Sequence, residues 1–185
     1  VTSNQPVAPK LADGVRRLEY RGYDSVGLAT LDDGAIGVRK GVGKVDKVDA
    51  KQNFLQAKGN TGIAHCRWGT HGGITLNNAH PHLSPSGQVA IVHNGIIENY
   101  LDLKHQLEAV GHTFVSETDT EVIAHLIENE LTLLAKSGKP TLKDAVARAT
   151  AKLVGSYALG VISADAPDTL VATRNESPLV VGFGK

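Results

Sequence analysis

The sequence contains very little sulfur. Of its 185 residues, one is cysteine and none is methionine. A single cysteine cannot close an internal disulfide, which fits a reducing compartment or a protein that needs no such cross-link. An excess of charge is absent too, because 19 basic side chains balance 19 acidic ones. This balance argues against nucleic acid and against a membrane surface as partners.

Long apolar runs are also missing. No stretch approaches the ~20 apolar residues of a membrane span, and there is no basic start with an apolar core as in a signal peptide. We therefore expect a soluble, cytoplasmic protein. The sequence opens at Val1 without an initiator methionine, which we interpret as a processed or cut end. The hydrophobic fraction of 41% is enough for one domain with a sizeable core.

The order of the predicted elements favours an α+β fold. Helical spacing predicts a first helix from residue 6 to near residues 20–22, and Asp32-Asp33-Gly34 predicts the turn of a β-hairpin. Asn99 and the capping box at 118–121 are predicted to begin two later helices. A surface helix at 44–57 and a helix at 142–153 are also predicted, with further strands at 61–68, 88–93 (ended by Asn94-Gly95), 156–162, 169–173 and 179–183. Strands, then consecutive helices, then strands again indicate a layered α+β domain rather than a doubly wound sheet.

The most polar cluster lies at residues 64–72. If the residues before it form a strand, alternation places His65 and Arg67 on one face and turns Cys66 to the other. The planar guanidinium of Arg67 suits a carboxylate, and Thr70 and His71 follow on the turn, where they can assist it. The alternative for Arg67 is an ion pair that serves the scaffold alone.

Two further groups complete a candidate site for an amino acid. Asn94 and Gly95 can offer an amide side chain and an unshielded N–H as an oxyanion hole, although a plain Asn-Gly turn is the alternative. Asp119 lies at a helix start, where the dipole favours an ionised carboxylate that can bind an ammonium group or serve only the helix. With Arg67 for a carboxylate, this set suits an amino acid whose side-chain acyl group is attacked.

Neither a metal site nor a nucleophile is evident. The histidines lack the short regular spacings of a zinc site, so no metal and no cofactor is predicted; those considered are His65, His71, His80, His82 and His93. Cys66 is the only thiol, and strand alternation turns it toward the core.

Five motifs then support a resemblance: residues 17–25, 67–72, 78–82, 93–99 and 116–121. In this order they resemble the glutaminase domain of the glucosamine-6-phosphate synthases, which are class II glutamine amidotransferases also called glutamine–fructose-6-phosphate aminotransferases (isomerizing). The resemblance implies an N-terminal nucleophile hydrolase fold, a four-layer αββα sandwich of antiparallel sheets.

The resemblance also implies the roles of substrate-binding residues. Arg67, Thr70 and His71 would bind the α-carboxylate side of glutamine, and Asp119 would bind its α-ammonium group. Trp68 would belong to a loop that closes over glutamine.

The catalytic part of the site is implied in the same way. Asn94 with Gly95 would form the oxyanion hole, and Arg21 would lie near the nucleophile. In the family that nucleophile is an N-terminal cysteine with its own α-amine as general base, and the present sequence starts a few residues after the strand that would carry it. Cys66 and Gly69 also stand where the family usually has Thr and Ala.

We interpret residues 1–185 as a glutaminase domain truncated at both ends, without its last strands and without the sugar-phosphate isomerase domain that would be its partner. The expected reaction is hydrolysis of glutamine to glutamate and ammonia, for glucosamine-6-phosphate synthesis from fructose-6-phosphate. As written, the sequence is expected to bind glutamine or glutamate without turnover. The alternatives are a non-catalytic amino-acid-binding or scaffolding module, another class II amidotransferase such as the purine-pathway phosphoribosyl enzyme, and a metal-dependent hydrolase.

Overall fold

A computed structural model of the protein describes residues 1–69 and 72–184. Its helices are α1 (Ala8–Leu18), α2 (Val45–Gln52), α3 (Tyr100–Glu108), α4 (Asp119–Ala135) and α5 (Leu142–Thr150). Its strands are β1 (Ser25–Asp32), β2 (Ala35–Val42), β3 (Thr61–Arg67), β4 (His82–Leu83), β5 (Val89–Ile97), β6 (Gly155–Ser163) and β7 (Leu170–Asn175). None of the helices in these two ranges is both long and apolar enough to cross a bilayer.

The first sheet has the order β2-β1-β3 and is antiparallel throughout. Its hairpin turns at Asp33 and Gly34, both of which have positive φ as a tight hairpin turn requires. In β1, Val26 and Leu28 face a core shared with α1 and α2, whereas Ala29 and Leu31 face the second sheet. Period-two alternation therefore makes this strand buried on both sides.

The second sheet has the order β4-β5-β6-β7 and packs its outer face on α4 and α5. Ile91 and Leu159 belong to that helix-covered core, while Ala90 and Ile162 face the first sheet. The layers are thus helix, sheet, sheet, helix. This confirms the predicted four-layer α+β sandwich of antiparallel sheets.

Several local predictions were wrong. β5 does not end at Asn94-Gly95 but continues to Ile97, because β6 pairs with it as far as Gly155. Asn99 occupies the helix start, yet its side chain bonds the backbone of Lys152 and Val154 instead of capping α3.

The capping box of α4 forms only in part. Thr118 accepts from the Glu121 N–H as predicted, but the Glu121 carboxylate accepts from the N–H groups of Val115 and Ser116 rather than from Thr118. Residues 179–183, predicted as a strand, form neither a helix nor a ladder among the described residues, and Val180 and Phe183 are exposed there.

Candidate active site

A cavity of about 200 Å³ lies where the end of β3, the middle of β5 and the start of α4 meet. Predicted site residues with described positions all line it: Arg21, Arg67, Trp68, Asn94, Gly95 and Asp119. The other two predicted residues, Thr70 and His71, lie outside the described residues. The cavity therefore brings together predicted site residues from four stretches that are far apart in sequence.

Arg67 is buried in the cavity wall. Its guanidinium donates through Nη1 to the Gly73 carbonyl at 3.3 Å and, at 3.5 Å, through Nη2 to that of Gly72. Burial lowers the pKa of Arg67, while the nearby carboxylates of Asp24 and Asp119 oppose this shift. These contacts hold the guanidinium at the cavity, beside the backbone of Gly72 and Gly73.

A reciprocal pair of hydrogen bonds between Asn78 and Glu117 fixes the segment that contains Gly73. Asn78 donates to the Glu117 carboxylate at 2.9 Å and accepts from the Glu117 N–H at 2.9 Å. The same carboxylate accepts from the Gly73 N–H at 2.9 Å. The carbonyls that receive Arg67 are thereby tied to the segment that leads into α4.

Asn94 and Gly95 reach the cavity because β5 stays in its ladder here. Gly95 pairs with Tyr157 of β6 and has φ +134°, and a Cβ at this position would lie 2.0 Å from the Ser156 carbonyl oxygen. Only glycine fits this backbone. The Asn94 Oδ1 lies 2.9 Å from the His65 Nε2 on the facing strand.

Asp119 is the first residue of α4 and is buried. Its Oδ2 accepts from the Ile97 N–H at 2.8 Å, and its Oδ1 accepts from the Thr120 hydroxyl at 3.4 Å. One carboxylate oxygen is thus occupied by the backbone of β5. Among the described residues, the other oxygen makes only the long bond to Thr120, so it can accept from a ligand.

Four histidines lie beside the cavity or just behind it. His65 stacks on His80 with ring centroids 4.2 Å apart, His82 contacts the Thr118 hydroxyl, and His93 contacts the Thr120 hydroxyl. Burial lowers the pKa of His65 to about 4 and that of His82 to about 3, and it places the pKa of His80 well below the usual range. These three rings are neutral at pH 7.

Within the described ranges, no group of three or more His, Cys, Asp or Glu side chains is arranged to hold a metal ion. The histidines instead bond to hydroxyls and amides. Sequence reasoning considered them only as metal ligands, and it overlooked Thr118 and Thr120 in the cavity wall. Their position on either side of Asp119 was the available signal.

Cys66 shares the cavity wall, but its thiol points into the α1 side of the sheet. Sγ donates to the Val15 carbonyl at 3.1 Å, and the side chain packs on the core beneath α1 and α2. Burial, with a smaller contribution from Glu19, raises the pKa of the thiol to about 11. The predicted orientation of Cys66 is confirmed, and its thiol is a poor nucleophile at neutral pH.

The mouth of the cavity is aromatic. The Trp68 side chain is more than half exposed and lies against Tyr23, with ring centroids 5.4 Å apart. The next residue, Gly69, donates its N–H to Asp24 at 2.8 Å. An exposed ring in the cavity wall can cover a ligand.

Comparison with known proteins identifies relatives of this arrangement. A family profile described as "Glutamine amidotransferase domain" matches residues 74–184. The chain is 50% identical, over 98% of its length, to the glutamine–fructose-6-phosphate aminotransferase (isomerizing) of Methanococcus maripaludis, and it covers 30% of that protein. It is 53% identical, over 96% of its length, to the protein of the same name from Methanothermobacter thermautotrophicus, and covers 29% of it. The chain thus spans less than a third of the length of these relatives.

Solved structures agree on the fold. The glutamine phosphoribosylpyrophosphate amidotransferase from B. subtilis, complexed with ADP and GMP, superposes with a TM-score of 0.73 at 30% identity, over 88% of this chain and 34% of that one. A structure described as the allosteric regulatory enzyme of purine biosynthesis superposes with a TM-score of 0.71 at 32% identity, over 85% of this chain and 33% of that one. These likenesses confirm the predicted N-terminal nucleophile hydrolase fold.

Proposed function

Because the chain belongs to the glutamine amidotransferase domain family, we propose that its cavity binds glutamine and serves hydrolysis of the side-chain amide to glutamate and ammonia. The observation that carries this proposal is that Arg67, Asp119 and Asn94 line one cavity. The cation suits the α-carboxylate, the carboxylate suits the α-ammonium group, and the amide suits the acyl oxygen. Trp68 would cover the bound ligand, and Thr70 and His71 would assist Arg67.

Binding both charged groups of the amino acid fixes the position of its side chain. A ligand anchored by Arg67 at one end and Asp119 at the other can place its amide carbonyl beside Asn94 and Gly95. There the Asn94 amide and the Gly95 N–H would stabilise the negative oxygen that develops when the carbonyl is attacked. One such donor contributes about 2.7–4 kcal/mol to lowering the barrier.

The nucleophile in this proposal is a cysteine on a strand that precedes Val1, as the resemblance implies. Cys66, the only thiol in the sequence, points away from the cavity. The start of the chain pairs with β3: Thr2 lies opposite Thr61, and the backbones of Val1 and Gly62 bond to each other. A strand continuing upstream in this register would run antiparallel along β3 toward Arg67 and reach the cavity within about five residues.

In that arrangement the thiolate would attack the amide carbon, and the α-amine of the same cysteine would carry the proton to the departing ammonia. Water would then hydrolyse the thioester to glutamate. In the relatives, whose name includes fructose-6-phosphate, this domain is less than a third of the protein. We propose accordingly that the ammonia is used by a sugar-phosphate isomerase domain to make glucosamine-6-phosphate from fructose-6-phosphate.

The direct test is calorimetry of the 185-residue chain with glutamine and glutamate. Both should bind, and Arg67→Ala should weaken binding by at least tenfold, because a hydrogen bond to a charged group contributes about 1.5–3 kcal/mol. Asn77→Ala, a change in an exposed side chain outside the cavity, is the matched control. Absence of binding by the wild-type chain, or binding that Arg67→Ala leaves unchanged, would contradict the proposal.

Turnover separates two readings of the function. Ammonia release should be absent from the 185-residue chain, and should be present in a chain that carries the cysteine strand ahead of Val1. For the 185-residue chain, the orientation of Cys66 favours the second candidate function, a non-catalytic amino-acid-binding module. Intact mass identifies which chain is in the assay.

A further inference from the structure

His65 occupies a position that the proposed chemistry does not yet use. It lies on β3 between Ile63, in the apolar layer between the sheets, and Arg67, at the cavity. Its Nε2 meets the Asn94 Oδ1 at 2.9 Å, across the gap between the two sheets. Its ring is also stacked on His80, with an interplanar angle of 19°. The imidazole is therefore fixed from two directions.

The proton on this ring can be assigned to one nitrogen. Because burial lowers the pKa of His65 to about 4, the ring is neutral at pH 7 and carries a single N–H. Nε2 faces an amide oxygen, which is an acceptor only, and the backbone of His93 also favours the protonated ring. Nδ1 is buried and makes no hydrogen bond of ordinary geometry in the described part of the chain. A proton on Nε2 makes the bond, while a proton on Nδ1 would bury an unpaired donor and set two acceptors against each other.

The contact between Oδ1 and Nε2 leaves one end of the Asn94 amide for a ligand. A primary amide has an oxygen that accepts and an NH₂ group that donates. Once Oδ1 is taken by His65, Nδ2 remains. The reversed amide would present an oxygen to the developing oxyanion and would repel it.

We propose that His65 is a positioning residue that holds the Asn94 amide with its NH₂ group toward the ligand. This inference rests on the proposed glutamine site, since it assigns how one of its donors is oriented. His65 itself does not touch the reacting atoms. Its effect passes through Asn94.

The first test needs no ligand. In the 185-residue chain at pH 7, the ¹⁵N resonances of the His65 ring report which nitrogen is protonated. We expect the proton on Nε2, and its signal should move in Asn94→Ala. A proton on Nδ1 would overturn the proposal.

The second test is a double-mutant cycle read by calorimetric titration with glutamate. Leu cannot donate, so His65→Leu should weaken binding about fivefold, as expected for loss of one neutral hydrogen bond of about 1 kcal/mol. Gln can donate through its own amide, so His65→Gln should stay within about twofold of wild type. In an Asn94→Ala background, His65→Leu should have no further effect.

The outcomes separate the two proposals. A loss on His65→Leu that persists fully without the Asn94 amide means that the histidine acts by packing alone, which overturns the positioning role. Unchanged binding in His65→Leu also overturns it. If the wild-type chain binds neither glutamate nor glutamine, the glutamine site fails, and the ring measurement still decides the orientation of the Asn94 amide.

Discussion

The space between the two sheets has two unlike ends, built from the same strands. At one end, small and branched apolar side chains close the gap: Ala29, Leu31, Ile63, Ala90, Ile162 and Ala164. At the other end, the same faces of β3 and β5 carry His65, Arg67 and Asn94 around the cavity. On β3 two residues separate one environment from the other, since alternation returns the side chain to the same face.

The difference shows how a rigid site is obtained from a core. The packed side chains of the apolar end set the distance between the sheets, and the same distance holds around the cavity. His65 and Asn94 can therefore meet at 2.9 Å although they lie on different sheets. A site built on strands is held more rigidly than one built on loops.

The largest effect is expected at the polar end, from Gly95→Ala. A Cβ there would lie 2.0 Å from the Ser156 carbonyl oxygen, on a backbone with φ +134°. Destabilisation by more than about 4 kcal/mol is expected, because strain and a backbone clash combine. Gly37→Ala is the matched control, since nothing lies within 4 Å of its Cβ position. Chemical denaturation of both variants checks this, and equal stabilities would mean that β5 does not pass through Gly95 as described.

At the apolar end, Ile63→Ala should remove about 2–5 kcal/mol of unfolding free energy by leaving a cavity between the sheets. Glutamate affinity should change little in the protein that remains folded, because Ile63 does not line the site. Val180→Ala, whose side chain is 92% exposed, is the control for losing an apolar side chain without a cavity. Denaturant titration measures the stability of the variant, and calorimetry measures its affinity for glutamate. Loss of glutamate binding by Ile63→Ala without loss of stability would contradict the distinction between the two ends.

The polar end should also be the source of acid sensitivity. Burial lowers the pKa of His82 to about 3 and of His65 to about 4, against 6.5 for the unfolded chain. Below pH 6.5 these histidines bind protons in the unfolded chain but not in the native one. The free energy of unfolding therefore falls as the pH drops from 6.5 toward 4. Each of these histidines contributes a slope on the order of 1.4 kcal/mol per pH unit.

Denaturation at pH 7, 6 and 5 measures this slope, and His82→Asn should make it shallower. Above pH 5, titration of the Glu121 carboxylate does not contribute to this slope. Burial raises the pKa of Glu121, but bonds from His125, Ser116 and Val115 outweigh this and bring it to about 2, so its stabilisation is lost only below pH 4.5. A flat profile between pH 7 and 5 would mean that the histidines are not buried as described.

The smallest effect is expected for the reactivity of Cys66, on the face of β3 that is turned away from the space between the sheets. Since the Cys66 thiol is bonded to Val15 and burial raises its pKa to about 11, it should react slowly with a disulfide reagent at pH 7.5 in the native chain. It should react at once in urea. Fast labelling of the native protein would instead put the thiol in the cavity.

Sequence periodicity predicted what local physics controls. The helix over α1, the hairpin of β1 and β2, and the long helix α4 follow from apolar spacing and turn residues. The opposite faces of Arg67 and Cys66 follow from alternation along a strand. These features do not depend on a distant partner.

Two of the misses, at Asn94-Gly95 and at Asn99, arise because a distant segment supplies the partner. Asn94-Gly95 is typical of a turn, but β6 keeps it in the ladder through Ile97. Glu121 was expected to close a capping box, but the backbone of the preceding loop takes its carboxylate. The roles predicted for Arg67, Asp119 and Asn94 remain predictions, although the three residues do line one cavity.

The walls of the cavity are contributed by segments from Arg21 to Thr120 in sequence. Contacts of such long range form late and slowly during folding, because large loops must close first. Ligand affinity therefore serves as a reporter of global assembly. Partly folded chains with formed helices and hairpins should show no ligand binding until the two sheets have packed together.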